Sequence, residues 1–234
     1  MSQQEKDLEL APPPQIYLMM DLSLTDTPAE DIRSIAKTIN TAENTPFSSL
    51  LIKQTEGLSK CTPEFVSQVQ KEDIAVIIED NVPLVQSSGA DGVHLSDDDE
   101  EIFEAAINTL SEDVIIGLSA KQSRHKAMIF AEQGCSYIAI SDGLSDQTTQ
   151  TSVENVDIEE FDRPPEIKWW VSLFSTPAVA WNISSLEQAI TATKEGADFL
   201  ALAPSYWQQG ENSTEIIKDC LAKTTAIERY TPTL

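Results

Sequence analysis

Several short stretches of this chain concentrate side chains able to bind a metal, hold an anion or move a proton. Asp21 follows one apolar run, Gln54 and Glu56 a second, Glu79, Asp80 and Asn81 a third, and Ser96 with Asp97, Asp98 and Asp99 a fourth. Further along stand Ser119 with Lys121, Ser141 with Asp142, Asn182, and Pro204, Ser205 and Tyr206. Carboxylates converging from two segments, Asp80 with one of Asp97 to Asp99, are oxygen ligands suited to Mg2+, which takes one or two carboxylates plus phosphate and water. The acidic run 97–101 has a second reading. It favours the positive end of a helix by ~0.3 to 1 kcal/mol per charge. His94 lies among apolar neighbours in DGVHL and reads as a hydrogen-bonded core residue; His125, beside Arg124 and Lys126, reads as surface. Neither has a Ser or Cys partner identifiable from spacing, so a nucleophilic triad is unsupported. GxGxxG, GxxxxGK[ST] and HExxH do not occur. Trp169, Trp170, Trp181 and Trp207 read as packing residues, with Tyr206 and Trp207 placed where they can line a mouth.

What must position these groups is a repeated βα unit. Runs rich in β-branched and aliphatic residues occur at 16–20, 49–53, 74–78, 91–95, 114–118, 136–140, 177–181 and 198–202. Several are apolar throughout, as strands covered on both faces are. Helical spacing fills the intervals: a helix capped by Thr27 with Pro28 at its first position and Glu30 completing a capping box, another from Thr62 and Pro63, and later ones near 81–88, 98–109, 121–133, 165–174, 184–195 and 213–223. One phrase recurs as SSGADGVHL, AEQGCSYIAI and TKEGADFLAL: a helix stops on a glycine able to turn left-handed and the chain enters a buried strand. A repeat of about 27 residues, close to the ~30 of a βα unit, predicts an α/β fold of the (β/α)8, or TIM-barrel, type with its functional groups at the C-terminal ends of the strands. Residues 1–14 read as a polar mobile arm ahead of a single domain at 15–234. The acidic loop 142–164 after the sixth strand reads equally as a lid or an idle insertion.

Composition narrows the function. With 39 acidic against 15 basic residues the chain carries −24, which repels nucleic-acid and anionic lipid phosphates, so no nucleic-acid and no membrane partner is expected. The 41% of apolar residues is enough for a buried core. Cys61, Cys135 and Cys220 are few, far apart and outside any CxxC, which suggests reduced thiols in a cytoplasmic protein.

The segment VIIEDNVPLVQSSGADGVHLSDDD at 76–99 resembles the thiamine phosphate synthase family, whose members read like IINDxxxLAxxxGADGVHLGQxD in their third and fourth units. IYLMMD at 16–21, IIGLSA at 115–120 and PAVAW at 177–181 extend the likeness across the folded region, and GADGVHL is shared with the family's thiazole tautomerase relatives. The resemblance implies a transferase that joins hydroxymethylpyrimidine diphosphate to thiazole phosphate, with Mg2+ and cationic side chains stabilising the departing diphosphate. It implies Asp80 and Asp99 as metal ligands, Ser119 near the reacting methylene, and Gln54, Asn182 and Ser205 in contact with a small phosphorylated substrate. Several family positions are replaced. With the following GLS aligned, Gln-x-Arg-x-Lys falls on Ile52, Gln54 and Glu56, and the Asn-Asp pair falls on Glu79 and Asp80. The sixth-loop lysine has no counterpart, the paired glycines after strand seven fall on Asn182 and Ile183, and the serine after strand eight falls on Pro204. The tautomerase histidine falls on Lys121. Charge-assisted contacts of ~1.5 to 3 kcal/mol each would be forfeited with the cations. Two expectations follow: a synthase of altered efficiency, or a barrel that keeps the scaffold and serves a binding or regulatory role without catalysis.

Overall fold

Eight parallel strands, hydrogen-bonded in chain order with the last returning to the first, close into a barrel. They are β1 Gln15–Met20, β2 Phe47–Ile52, β3 Ala75–Glu79, β4 Gly92–Leu95, β5 Ile115–Ser119, β6 Tyr137–Ile140, β7 Ala178–Ile183 and β8 Phe199–Leu202. The structure is a computed structural model that describes residues 12–41, 44–121, 123–141 and 163–232. The (β/α)8 expectation holds, and every expected strand lies within two residues of an observed one.

Period-two alternation divides each strand between two apolar bodies. Ile16, Leu18 and Met20 of β1, Leu50 and Ile52 of β2, and Val76 and Ile78 of β3 join the layer beneath the helices. Tyr17, Met19, Leu51, Ile77, Tyr137, Ala139, Val179 and Ala201 fill the inside of the barrel. Each fully buried aliphatic side chain contributes about 1.5–3 kcal/mol. The interior accepts the Tyr137 ring because a glycine faces it. A Cβ on Gly117 would stand 1.9 Å from the Tyr137 ring.

The surrounding helices are α1 Pro28–Ile39, α2 Pro63–Gln70, α3 Val82–Ser88, α4 Glu100–Thr109, α5 Arg124–Glu132, α6 Ile167–Leu173, α7 Leu186–Glu195, α8 Pro204–Trp207 and α9 Ser213–Thr225. Most begin where a side-chain oxygen accepts a backbone N–H: Thr62 from Phe65, Asn81 from Leu84, Asp99 from Glu101 and Ile102, Ser123 from Lys126 and Ser185 from Gln188. The expected box at α1 does not form. Thr27 makes no cap bond and instead donates its hydroxyl to Asp31, one residue beyond Glu30. Gly89 and Gly196 end α3 and α7 at φ of 74° and 98°, as the recurrent phrase implies.

Of the expected arm, residues 1–11 lie outside the described residues. Its end is anchored: Pro14 is buried and the Pro12 carbonyl accepts a hydrogen bond from Arg229. Residues 142–162 of the long loop also lie outside the described residues. All three cysteines are buried and unpaired with one another. Among the described residues no helix is long and apolar enough to cross a membrane.

Candidate functional site at the barrel mouth

The inside of the barrel carries a polar thread that spacing does not reveal. The Tyr17 and Tyr137 hydroxyls lie 3.0 Å apart, the Tyr137 hydroxyl is 3.0 Å from His94 Nδ1, and His94 Nε2 is 2.9 Å from Ser119 Oγ. Four strands thus supply one hydrogen-bonded chain that rises toward the C-terminal end of β5. His94 is fully buried, as expected for a hydrogen-bonded core residue, yet it does have a serine partner, 25 residues away, which corrects the sequence reading. Burial pushes its pKa well below the ordinary value, and the nearby charges of Lys53 and Lys121 push the same way, so the imidazole is neutral. Burial likewise raises both tyrosines, Tyr137 well above its ordinary range, and both stay protonated. A neutral imidazole between two hydroxyls donates through one nitrogen and accepts through the other, which orients Ser119 and gives its proton a path inward.

Trp181 closes this thread from above. Its ring stacks on His94 at 3.9 Å between centroids and meets Tyr17 edge-on at 6.0 Å. The indole sits there because β7 bulges: register with β8 shifts between Ala180 and Ile183, and Asn182 adopts a left-handed φ of 60°. Asn182 therefore keeps a backbone state suited to glycine, which asparagine tolerates better than most residues, while its side chain stands exposed.

On the opposite side the mouth is cross-linked. Lys53 forms a short ion pair with Glu79, and the Gln54 N–H donates to the other Glu79 oxygen at 3.0 Å. Because Leu51 packs inside the barrel and Ile52 outside it, the inward parity continues to Lys53 rather than Gln54, whose side chain is exposed. A cation therefore faces the mouth after β2, where alignment on GLS places none. Asp21 accepts hydrogen bonds from Ser23 and Thr55. Burial opposes its ionisation, but those bonds and Lys53 outweigh burial and hold the carboxyl below its usual range. The Gln208 side chain bridges back to the Asp21 backbone.

The expected metal ligands have other partners. Asp80, at a left-handed φ of 49°, accepts both the N–H and the hydroxyl of Ser96. Asp99 caps α4, the alternative that the acidic run itself allows. Among the described residues no group of three or more His, Cys, Asp and Glu side chains could hold a metal ion. Asp80 accepts one bond on each oxygen and Asp99 two on a single oxygen, so each has a role within the chain that accounts for its position without a metal. Ser119 is buried, Ser205 is exposed, and Pro204 opens α8 without an N–H. Trp207 is buried with its indole N–H on the Met19 carbonyl, so it packs rather than lining the mouth.

A closed (β/α)8 barrel with polar side chains gathered at the C-terminal ends of its strands is the architecture whose enzymes carry their sites at that face. Residues 52–205 match the family model described as thiamine monophosphate synthase, and the chain belongs to that family. A thiamine-phosphate synthase of Hyphomonas neptunium is 29% identical over 213 residues, spanning 88% of this chain and 92% of that protein. One from Rhodospirillum centenum is 31% identical over 152 residues, 64% of this chain and 69% of that protein. Among solved structures, thiamine phosphate pyrophosphorylase from Pyrococcus furiosus superposes with a TM-score of 0.64 at 16% identity, covering 90% of this chain and 96% of that one. Orotidine 5'-phosphate decarboxylase from Pyrococcus horikoshii gives 0.61 at 13% identity, covering 91% and 100%. At these identities the superpositions speak for the fold alone.

Proposed function

We propose that the mouth of this barrel receives a small phosphorylated ring compound of the kind handled in thiamine biosynthesis, and holds it without carrying diphosphate displacement at a synthase's ordinary rate. The observation that supports this reading is the ion pair of Lys53 with Glu79, which cancels the inward cation a departing diphosphate would need. Gln54, Asn182 and Ser205 lie at or just beyond the ends of β2, β7 and β8 with exposed side chains available to a ligand, and the Ser119 hydroxyl at the end of β5 is oriented by His94. No step is assigned to Mg2+, because Asp80 and Asp99 have partners within the chain. The net charge of −24 argues against nucleic acid and anionic membranes as partners, and three buried thiols accord with a reducing, cytoplasmic setting.

A second reading, a slow synthase, draws support from Lys53 and Lys121, both close enough to His94 to depress its pKa. Incubating purified protein with hydroxymethylpyrimidine diphosphate, thiazole phosphate and Mg2+ separates the two. The binding reading expects no thiamine phosphate even at high protein concentration, together with measurable heat on titration with thiazole phosphate. Thiamine phosphate formed in proportion to added protein, at any rate above the uncatalysed background, would overturn it and establish the slow synthase.

A further inference from the structure

We infer that Glu79 is the residue that sets the ligand class of this mouth: by holding Lys53 it restricts the site to ligands without a diphosphate. The inference rests on the reading that the mouth is the ligand site, and it goes further by naming what the mouth rejects and which side chain does the rejecting.

Glu79 ends β3 at the same level as His94, its pairing partner in β4, and points into the barrel. Glu79 is 6% exposed. A carboxylate so placed needs compensation for lost water, and it has both kinds available: the Lys53 ammonium on Oε1 and the Gln54 N–H on Oε2. The arrangement is complete in itself. A diphosphate approaching Lys53 would have to draw the ammonium away and leave Glu79 buried with one remaining donor, while bringing several negative charges beside it. Nearby Asp21 and Asp80 add to the repulsion, since both carboxylates stand at neighbouring strand ends. An uncharged or singly phosphorylated ring that keeps clear of Lys53 meets no such obstacle, and the half-buried Trp181 indole offers it a face.

Inorganic pyrophosphate, followed by tryptophan fluorescence and calorimetry, tests this on the full chain. The native protein is expected to bind it negligibly. Glu79→Gln keeps the shape, removes the charge and frees Lys53, and should raise pyrophosphate affinity about tenfold or more. Adding Lys53→Met to that variant should abolish the gain. Glu79→Asn, a shorter neutral side chain, is the companion variant, with circular dichroism confirming the fold of each. If neither neutral variant folds, the native chain still decides by comparison of two ligands: thiazole phosphate is expected to bind measurably and pyrophosphate far more weakly, and pyrophosphate binding as tight as that of thiazole phosphate overturns the inference. So does tight pyrophosphate binding by the native protein, the absence of any gain in a folded Glu79 variant, or a gain that survives Lys53→Met. Turnover of the two precursors by the native chain would count against the binding reading, whereas these pyrophosphate titrations count for or against Glu79 alone, so the two failures are separable.

Discussion

The two sides of the barrel mouth are built on opposite plans. Around β1 to β5 polar side chains answer one another across strands: Asp21 with Thr55, Lys53 with Glu79, Asp80 with Ser96, His94 with Ser119. Around β7 and β8 the side chains of Asn182 and Ser205 are exposed, and the information lies in the backbone, as a bulge, a left-handed residue and a proline at a helix start. The first side has internalised its charge, and the second has kept a shape while changing the residues that occupy it. Substitutions on the first side should therefore cost stability, and substitutions on the second should alter binding more than folding.

The largest expected effect is at the base of the first side. Gly117→Val places carbon inside the Tyr137 ring and should destabilise the protein by about 3 kcal/mol or more, read as a lowered chemical-denaturation midpoint. If the native midpoint were retained, the interior would be looser than the thread requires. His94→Leu keeps the volume but takes the His94 partner from the Ser119 hydroxyl and leaves Tyr137 with Tyr17 alone, an expected loss of about 1–3 kcal/mol by the same measurement.

The third effect depends on pH. Because the folded-state pKa of His94 lies well below its ordinary 6.5, only the unfolded chain gains its proton as pH falls. The stability that neutral His94 contributes is complete above about pH 6.5 and declines by up to ~1.4 kcal/mol per unit as pH falls from there toward the folded-state pKa. Denaturation curves of native protein and of His94→Gln across that interval should converge; parallel curves would show that other groups govern the decline.

The smallest effect sharpens the other side of the comparison. Asn182→Gly relieves a left-handed residue and should leave stability within about 1 kcal/mol of native, while calorimetry should show tighter thiazole phosphate binding because no Cβ stands in the way of the backbone amides. Weaker binding would mean that the Asn182 amide is itself a ligand contact.

The strands were legible because they are covered on both faces, so several of their sequences are apolar runs that need no periodicity to stand out, and the glycines of the recurrent phrase mark the entries to β4, β6 and β8. The site was legible only in part. Strand ends such as Asp80, Ser119 and Asn182 could be placed at the mouth, but what each side chain does depends on partners brought close by barrel closure. Tyr17 and Tyr137 meet across 120 residues of chain, and no local pattern encodes that meeting. Lys53 was recoverable in principle: carrying the inward parity of Leu51 two residues on would have selected it over Gln54. Asp99 carried two compatible readings, ligand and helix cap, and only the direction of its oxygens separates them.

The indole of Trp181 resting on His94 has a further consequence for anything that enters. A guest ring seeking the Ser119 hydroxyl arrives at a seat already taken by the host, so its observed affinity is the difference between two stacks rather than the strength of one. Its arrival should wait on the rotation of a tryptophan about its own side-chain bonds.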